Sequence, residues 1–208
     1  MSMYNWVDIK AKLKEAILAL PHFFKNPVQG MKQIPNWEWP ETLILQGAFA
    51  LACGEMKNVI ERDVIGFFTD IVLSPLAAYV VTAIAAGVFY YLLRFFFQRE
   101  ADYRTIYLHI VFAGIPAQIS YIVTKFFPPV NLLGLAVAIY LLHVGLVFRF
   151  QIDGQKLKKI FLGVFALFVI WWGFQIYTVN FRRESLRQKA LPESLDILEK
   201  ELSNDKGE

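Results

Sequence analysis

The sequence predicts an all-α fold, a polytopic integral membrane bundle of about five transmembrane helices preceded by an amphipathic helix lying in the interface. Three observations carry that prediction. Residues 74–97, SPLAAYVVTAIAAGVFYYLLRFFF, hold a single charge, Arg94, near their end. As a helix they would reach about 36 Å, enough to cross a hydrocarbon core of about 30 Å with some tilt. Three further runs of the same kind follow, at 105–127, 130–148 and 160–179, which a water-soluble domain does not carry. The bulk composition agrees: 56% of the 208 residues are hydrophobic, 19 are Phe, and the mean hydropathy is +0.42.

Charge is crowded into the two ends and the short connections, so the chain reads as one membrane domain with polar fringes. A formal net charge of +3 gives no footprint for nucleic acid, and the basic residues stand beside membrane segments, where anionic lipid is the nearer partner. The single cysteine, Cys53, lies in an apolar run and permits no internal disulfide.

In chain order, Trp6, Ile9, Leu13, Ala16, Ile17 and Leu20 recur at helical spacing, with Lys10 and Lys12 bordering the stripe and Lys14 beyond it. This predicts an amphipathic helix over 1–22, apolar face in the membrane and lysines at the headgroups; packing on the rest of the domain is the alternative. The segment has neither the continuous apolar stretch nor the small-residue cleavage site of a signal peptide. From 21 to 40 the chain reads PHFFKNPVQGMKQIPNWEWP. Its four prolines forbid a long helix, and its aromatics suit an interfacial belt, so short re-entrant or surface-lying turns are expected.

Residues 41–54 are apolar but short, and 55–70 mix charge with Val59, Ile60, Val64, Ile65, Phe67 and Phe68. We expect a first span over 41–57 and an amphipathic connection up to Ser74. The membrane domain then occupies 23–180, with a polar tail over 181–208.

Basic residues assign the sides. Arg94, Arg99 and Arg104 flank one connection and Arg149, Lys156, Lys158 and Lys159 another, while the intervening turn at Pro128 and Pro129 has only Lys125. The positive-inside rule puts the first two connections and the lysine-bearing N-terminus in the cytoplasm, which requires the short first span. Arg182, Arg183, Arg187 and Lys189 after the last span then fall outside, against the rule; the earlier helices dominate orientation.

No HExxH, GxSxG, phosphate-binding glycine loop or cysteine cluster is present, so no catalytic, cofactor-binding or metal-binding residues are assigned and an enzyme is the lesser reading. His109, Gln118, Asn131, His143 and Gln175 are polar groups inside expected spans. Such groups face the bundle interior or a water-filled cavity. We expect them to bond between helices; a polar cavity joining His109, Gln118, Asn131 and His143 would instead mark a carrier. Ala83 and Gly87, Ala113 and Ala117, Gly134 and Ala138 are spaced for close helix contact, and Pro75 and Pro116 are expected to start or kink spans.

Three stretches together resemble the Yip (Ypt/Rab-interacting protein) domain family of five-span membrane proteins. They are the lead-in LPHFFKNPVQGMKQIP, the Ser-Pro-opened span SPLAAYVVTAIAAGVFYYLLRFFF with its basic end, and DYRTIYLHIVFAGIPAQI with its mid-span proline. With the spans after them they cover about 20–180. The Gly-Gly connection common in the family is replaced by Gln98, Arg99 and Glu100. The acidic motif that eukaryotic members use for trafficking partners is absent from the N-terminal region, so Rab binding is not carried over. The resemblance implies a non-enzymatic protein without cofactor that shapes membrane or serves as adaptor or subunit of a transport assembly. Its partners would be membrane lipids and other membrane proteins or copies of itself, and a bacterial member would sit in the inner membrane. The basic residues Arg94, Arg99, Arg104, Arg149, Lys156, Lys158 and Lys159 are the expected lipid or partner surface.

Overall fold

The structure is a computed structural model that describes residues 14, 20–21, 23–62, 64–124 and 126–178. The amphipathic helix expected over 1–22 and the tail over 181–208 therefore lie outside the described residues, apart from Lys14, Leu20 and Pro21. Two compact units divide the chain, residues 1–162 and residues 163–208.

In the first unit, α1 (Pro27–Lys32) is a single short helix capped by Asn26, whose side chain accepts from the Gln29 amide at 3.1 Å. Pro27 begins it, where a missing N–H costs nothing. Trp39 opens α2 (Trp39–Glu61), again with proline in the first turn. Arg62 ends α2 in the left-handed region (φ 56°) and turns the chain directly into α3 (Val64–Phe96).

Here the structure departs from the sequence reading. The segment expected as an amphipathic connection before Ser74 is helical, and the helix runs through Pro75 without starting at it. The physical reason is visible across the hairpin. Asp70, the charge that argued for a connection, accepts a hydrogen bond from Asn58 Nδ2 of α2 at 3.1 Å. Ser74 Oγ donates to the Ala50 carbonyl at 3.0 Å. A helix pair that satisfies these groups internally has no reason to break there, and membrane helices tolerate an interior proline.

The 33 residues of α3 would extend about 50 Å, well beyond a hydrocarbon core of about 30 Å. At its close Gln98 adopts φ 51° and the Arg99 amide reaches back to the Leu93 carbonyl at 3.1 Å, so a left-handed residue just past the helix turns the chain. Asp102 caps α4 (Tyr103–Ile122), accepting from the amides of Arg104 and Thr105. The turn after α4 leads to α5 (Val130–Phe150), which Gln151 ends in the left-handed region. A last helix, α6 (Gly154–Thr178), begins in this unit.

Antiparallel neighbours pack most extensively, α4 on α5 and α2 on α3, while α4 also meets both α2 and α3 and α1 lies along α5. The buried centre is built largely by α4, whose Ile106, Leu108, Val111, Phe112 and Ile115 are buried together with Leu141, Leu142 and Leu146 of α5. Gly134 and the backbone around Pro116 make the α4–α5 approach close. A Cβ on Gly134 would run into the Ser120 side chain and stand 3.0 Å from the Pro116 carbonyl oxygen. In the second unit, residues 163–178 complete α6 and are almost wholly apolar, Gln175 being the amide among them. Five helices among the described residues, α2 to α6, are thus long and apolar enough to cross a membrane.

Candidate functional site

Two arrangements emerge from the first unit, a polar seam inside the bundle and a basic surface at one end of it. The seam centres on Gln46, 1% exposed in the middle of α2. Its amide nitrogen donates to the Ala78 carbonyl at 2.9 Å and to Thr82 Oγ1 at 2.7 Å, both on α3. Its oxygen accepts from the Tyr107 hydroxyl of α4 at 2.6 Å. One side chain therefore ties three helices at once. Tyr79 Oη donates to the Leu43 carbonyl at 2.9 Å and Tyr103 Oη to the Ala83 carbonyl at 2.8 Å. The Tyr79 bond, Ser74 to the Ala50 carbonyl and Asn58 to Asp70 line the α2–α3 contact, while the Tyr103 bond ties α4 to α3. Glycine makes room for one of them, since a Cβ on Gly47 would collide with the Tyr79 hydroxyl.

The sequence reading did not single out Gln46, Thr82 or Tyr107. Gln46 sits alone in an apolar run, and the available signal was the spacing Ser74, Ala78, Thr82, one small or hydroxyl residue per turn on a single face of α3.

The intramembrane groups that were singled out are not brought together. His109 Nδ1 lies 2.7 Å from the Thr105 carbonyl of its own helix, and its ring faces Gly145 and Met31. His143 is on the other side of α5, its Nε2 3.0 Å from the Gly154 carbonyl at the start of α6. Asn131 is the second residue of α5, twelve residues from His143 and so about 18 Å along the helix. Gln118 lines a small hollow with Leu20, Leu45, Gln46, Phe49, Val111 and Ile115, and its Oε1 is buried without a partner among the described residues. The two Glu55 carboxylate oxygens in α2 are in the same condition. That carboxylate was not singled out, although it falls within the first span expected over 41–57.

The basic surface is assembled from segments distant in sequence. The α3–α4 connection and the α5–α6 connection meet, with Arg99 Nη2 donating to the Gln151 carbonyl at 3.4 Å. The lead-in joins the same end. Arg104 Nη2 donates to Asn36 Oδ1 at 3.4 Å, and Lys32 Nζ stands 5.7 Å over the Phe148 ring. Arg94, Arg99, Arg149, Lys156, Lys158 and Lys159 are exposed, and Arg104 is half-buried. Five acidic residues among those described share this end, counting Glu38 and the buried Glu41 at the start of α2. Asp102 caps α4 and pairs with Arg104 at 3.6 Å, Asp153 accepts from the Gln155 amide at 2.9 Å, and Glu100 is exposed.

At the opposite end Lys57 Nζ donates to the Tyr121 hydroxyl at 2.8 Å, setting the close of α2 beside the close of α4. Phe67, Phe68, Phe126 and Phe127 are exposed there.

A family model described as the Yip1 domain matches residues 22–175. No curated protein and no solved structure matches the chain.

Proposed function

The chain belongs to the Yip1 domain family, and on that premise we propose that this integral membrane protein is a non-enzymatic adaptor or subunit of a membrane assembly. Its working surface is the basic end of the bundle, and that surface holds anionic lipid headgroups on the cytoplasmic side. The observation that carries the reading is the meeting of two connections some fifty residues apart, fixed by the Arg99–Gln151 contact. It gathers Arg94, Arg99, Arg104, Arg149, Lys156, Lys158 and Lys159 at one end, with Lys32 of the lead-in beside them. A juxtamembrane Lys or Arg contributes about 1 kcal/mol of attraction to an anionic leaflet. A group of this size holds several acidic lipids.

The wide separation of Asn131 from His143, and the opposite faces of α5 taken by His109 and His143, favour this surface over a carrier cavity as the seat of function. In nanodiscs of mixed anionic and zwitterionic lipid, native mass spectrometry should find anionic lipid retained by the wild-type chain. A variant with Arg99, Arg104, Lys156, Lys158 and Lys159 changed to Gln should lose most of it, because each removed charge costs about fivefold in affinity. A variant with His109→Ala and His143→Ala should keep it. Retention in the Gln variant together with loss in the His variant, at equal folded yield, would transfer the function to the membrane interior.

A further inference from the structure

We propose that residues 23–37 form a displaceable strap over a groove between α4 and α5, and that a lipid acyl chain occupies the groove when the strap lifts. The groove is apolar, so this goes beyond the basic surface and does not depend on it. Its floor is made by Phe112 and His109 of α4 and by Gly145 of α5, but its filling comes from outside the bundle. Phe23 and Trp37, 3% and 7% exposed, set their rings 5.5 and 5.3 Å from that of Phe112. Met31, 1% exposed, places its methyl in the notch that Gly145 leaves. A Cβ there would stand 2.6 Å from Met31 Cε and 2.9 Å from His109 Cδ2. Phe112 is nine residues into α4, so this filling reaches about 14 Å below the helix start.

Little besides shape holds the strap. Pro27 and Pro35 break it into short pieces, and Pro21 and Pro40 flank it. Among the described residues its polar ties to the spans include the Asn36–Arg104 bond at 3.4 Å and the Lys32 ammonium over Phe148. In water, three buried side chains of this size would be strongly held. In a bilayer they are not, because hydrocarbon tails are as apolar as the strap's own side chains and refill the groove without a hydrophobic penalty. Lipid tails are also the occupant available at that depth. Exchange of strap for acyl chain is therefore an equilibrium between two similar packings, which a modest change in the strap should shift.

The test uses the full chain with Cys53→Ala, in nanodiscs containing phosphatidylcholine that bears a photoreactive diazirine in its acyl chain. This lipid is zwitterionic, so a failure here is separate from a failure of the basic surface. After illumination, peptides holding Phe112 and Gly145 are read by mass spectrometry. Weakening the strap with Phe23→Ala and Met31→Ala should raise their labelling about tenfold, as a 1.4 kcal/mol shift would. In a second chain, Met31→Cys and Gly145→Cys joined by oxidation to a disulfide, with the bridge confirmed by mass, should abolish the labelling that the reduced, unbridged form shows. The bridged chain decides the matter even where the alanine pair fails to fold. Equal labelling of bridged and unbridged chains, or labelling absent from both the weakened and the unbridged proteins, overturns the proposal.

Discussion

At the scale of single residues, the protein is ordered by where a buried polar atom finds its partner. Gln46 satisfies three neighbours on two other helices. In Gln46→Leu those groups lose their partner while the volume stays similar. Interhelical bonds in membranes average about 0.6 kcal/mol and reach about 1.7, so the expected loss is about 1–2 kcal/mol, read as a lower unfolding midpoint in detergent. Tyr107→Phe removes one of the three bonds and should cost correspondingly less. A Gln46→Leu chain as stable as wild type would show that the seam contributes nothing. The polar residues legible in the sequence were those whose type is rare in a span, the two histidines among them. Gln46 escaped because its importance lies in what stands opposite it, which no single-sequence pattern reports. Gln98 is the converse case. Its significance is in the backbone: φ 51° is a conformation that costs an L-residue about 1–2 kcal/mol. Gln98→Gly should therefore keep the fold and raise the midpoint slightly, part of the relief being offset by the greater freedom of glycine in the unfolded chain.

Between elements, spacing alone proved an uneven guide. The pairs Ala83–Gly87 and Gly134–Ala138 carry the same small-residue signal, yet the structure uses them differently. Gly134 lies under the Ser120 side chain and the Pro116 carbonyl, whereas a Cβ on Gly87 would meet nothing within 4 Å. Gly134→Val should force α4 and α5 apart at a cost of about 1–3 kcal/mol, while Gly87→Val should fold as the wild type does. Thermal unfolding of the two in one detergent compares them directly; equal losses would mean that the α4–α5 approach does not decide stability. Span existence was legible because twenty apolar residues have few alternatives in lipid. The course of the chain before Ser74 was not. Charge density there reads as a connection until Asn58 and the Ala50 carbonyl are known to lie across from Asp70 and Ser74.

For the whole molecule, end-to-end grouping and absolute sidedness are separate claims with separate supports. Geometry groups the lead-in, the α3–α4 connection and the α5–α6 connection, through Asn36–Arg104 and Arg99–Gln151. It sets the α2 and α4 ends together through Lys57–Tyr121. Sidedness comes from charge: the first end carries Arg94, Arg99, Arg104, Arg149, Lys156, Lys158 and Lys159, and basic residues stay in the cytoplasm. Single cysteines at positions 32, 99 and 158 in a Cys53→Ala chain should thus resist an impermeant maleimide in intact cells and react in inverted vesicles. A cysteine at position 128 should do the reverse. If 99 and 158 reacted from opposite sides, the bundle would be assembled differently from the arrangement described. If 32, 99 and 158 all reacted from outside and 128 from within, the assembly would stand and the orientation would be inverted. The basic end would then face away from the anionic cytoplasmic leaflet, and the lipid-holding role proposed for it would fail with the charge argument that assigned its side.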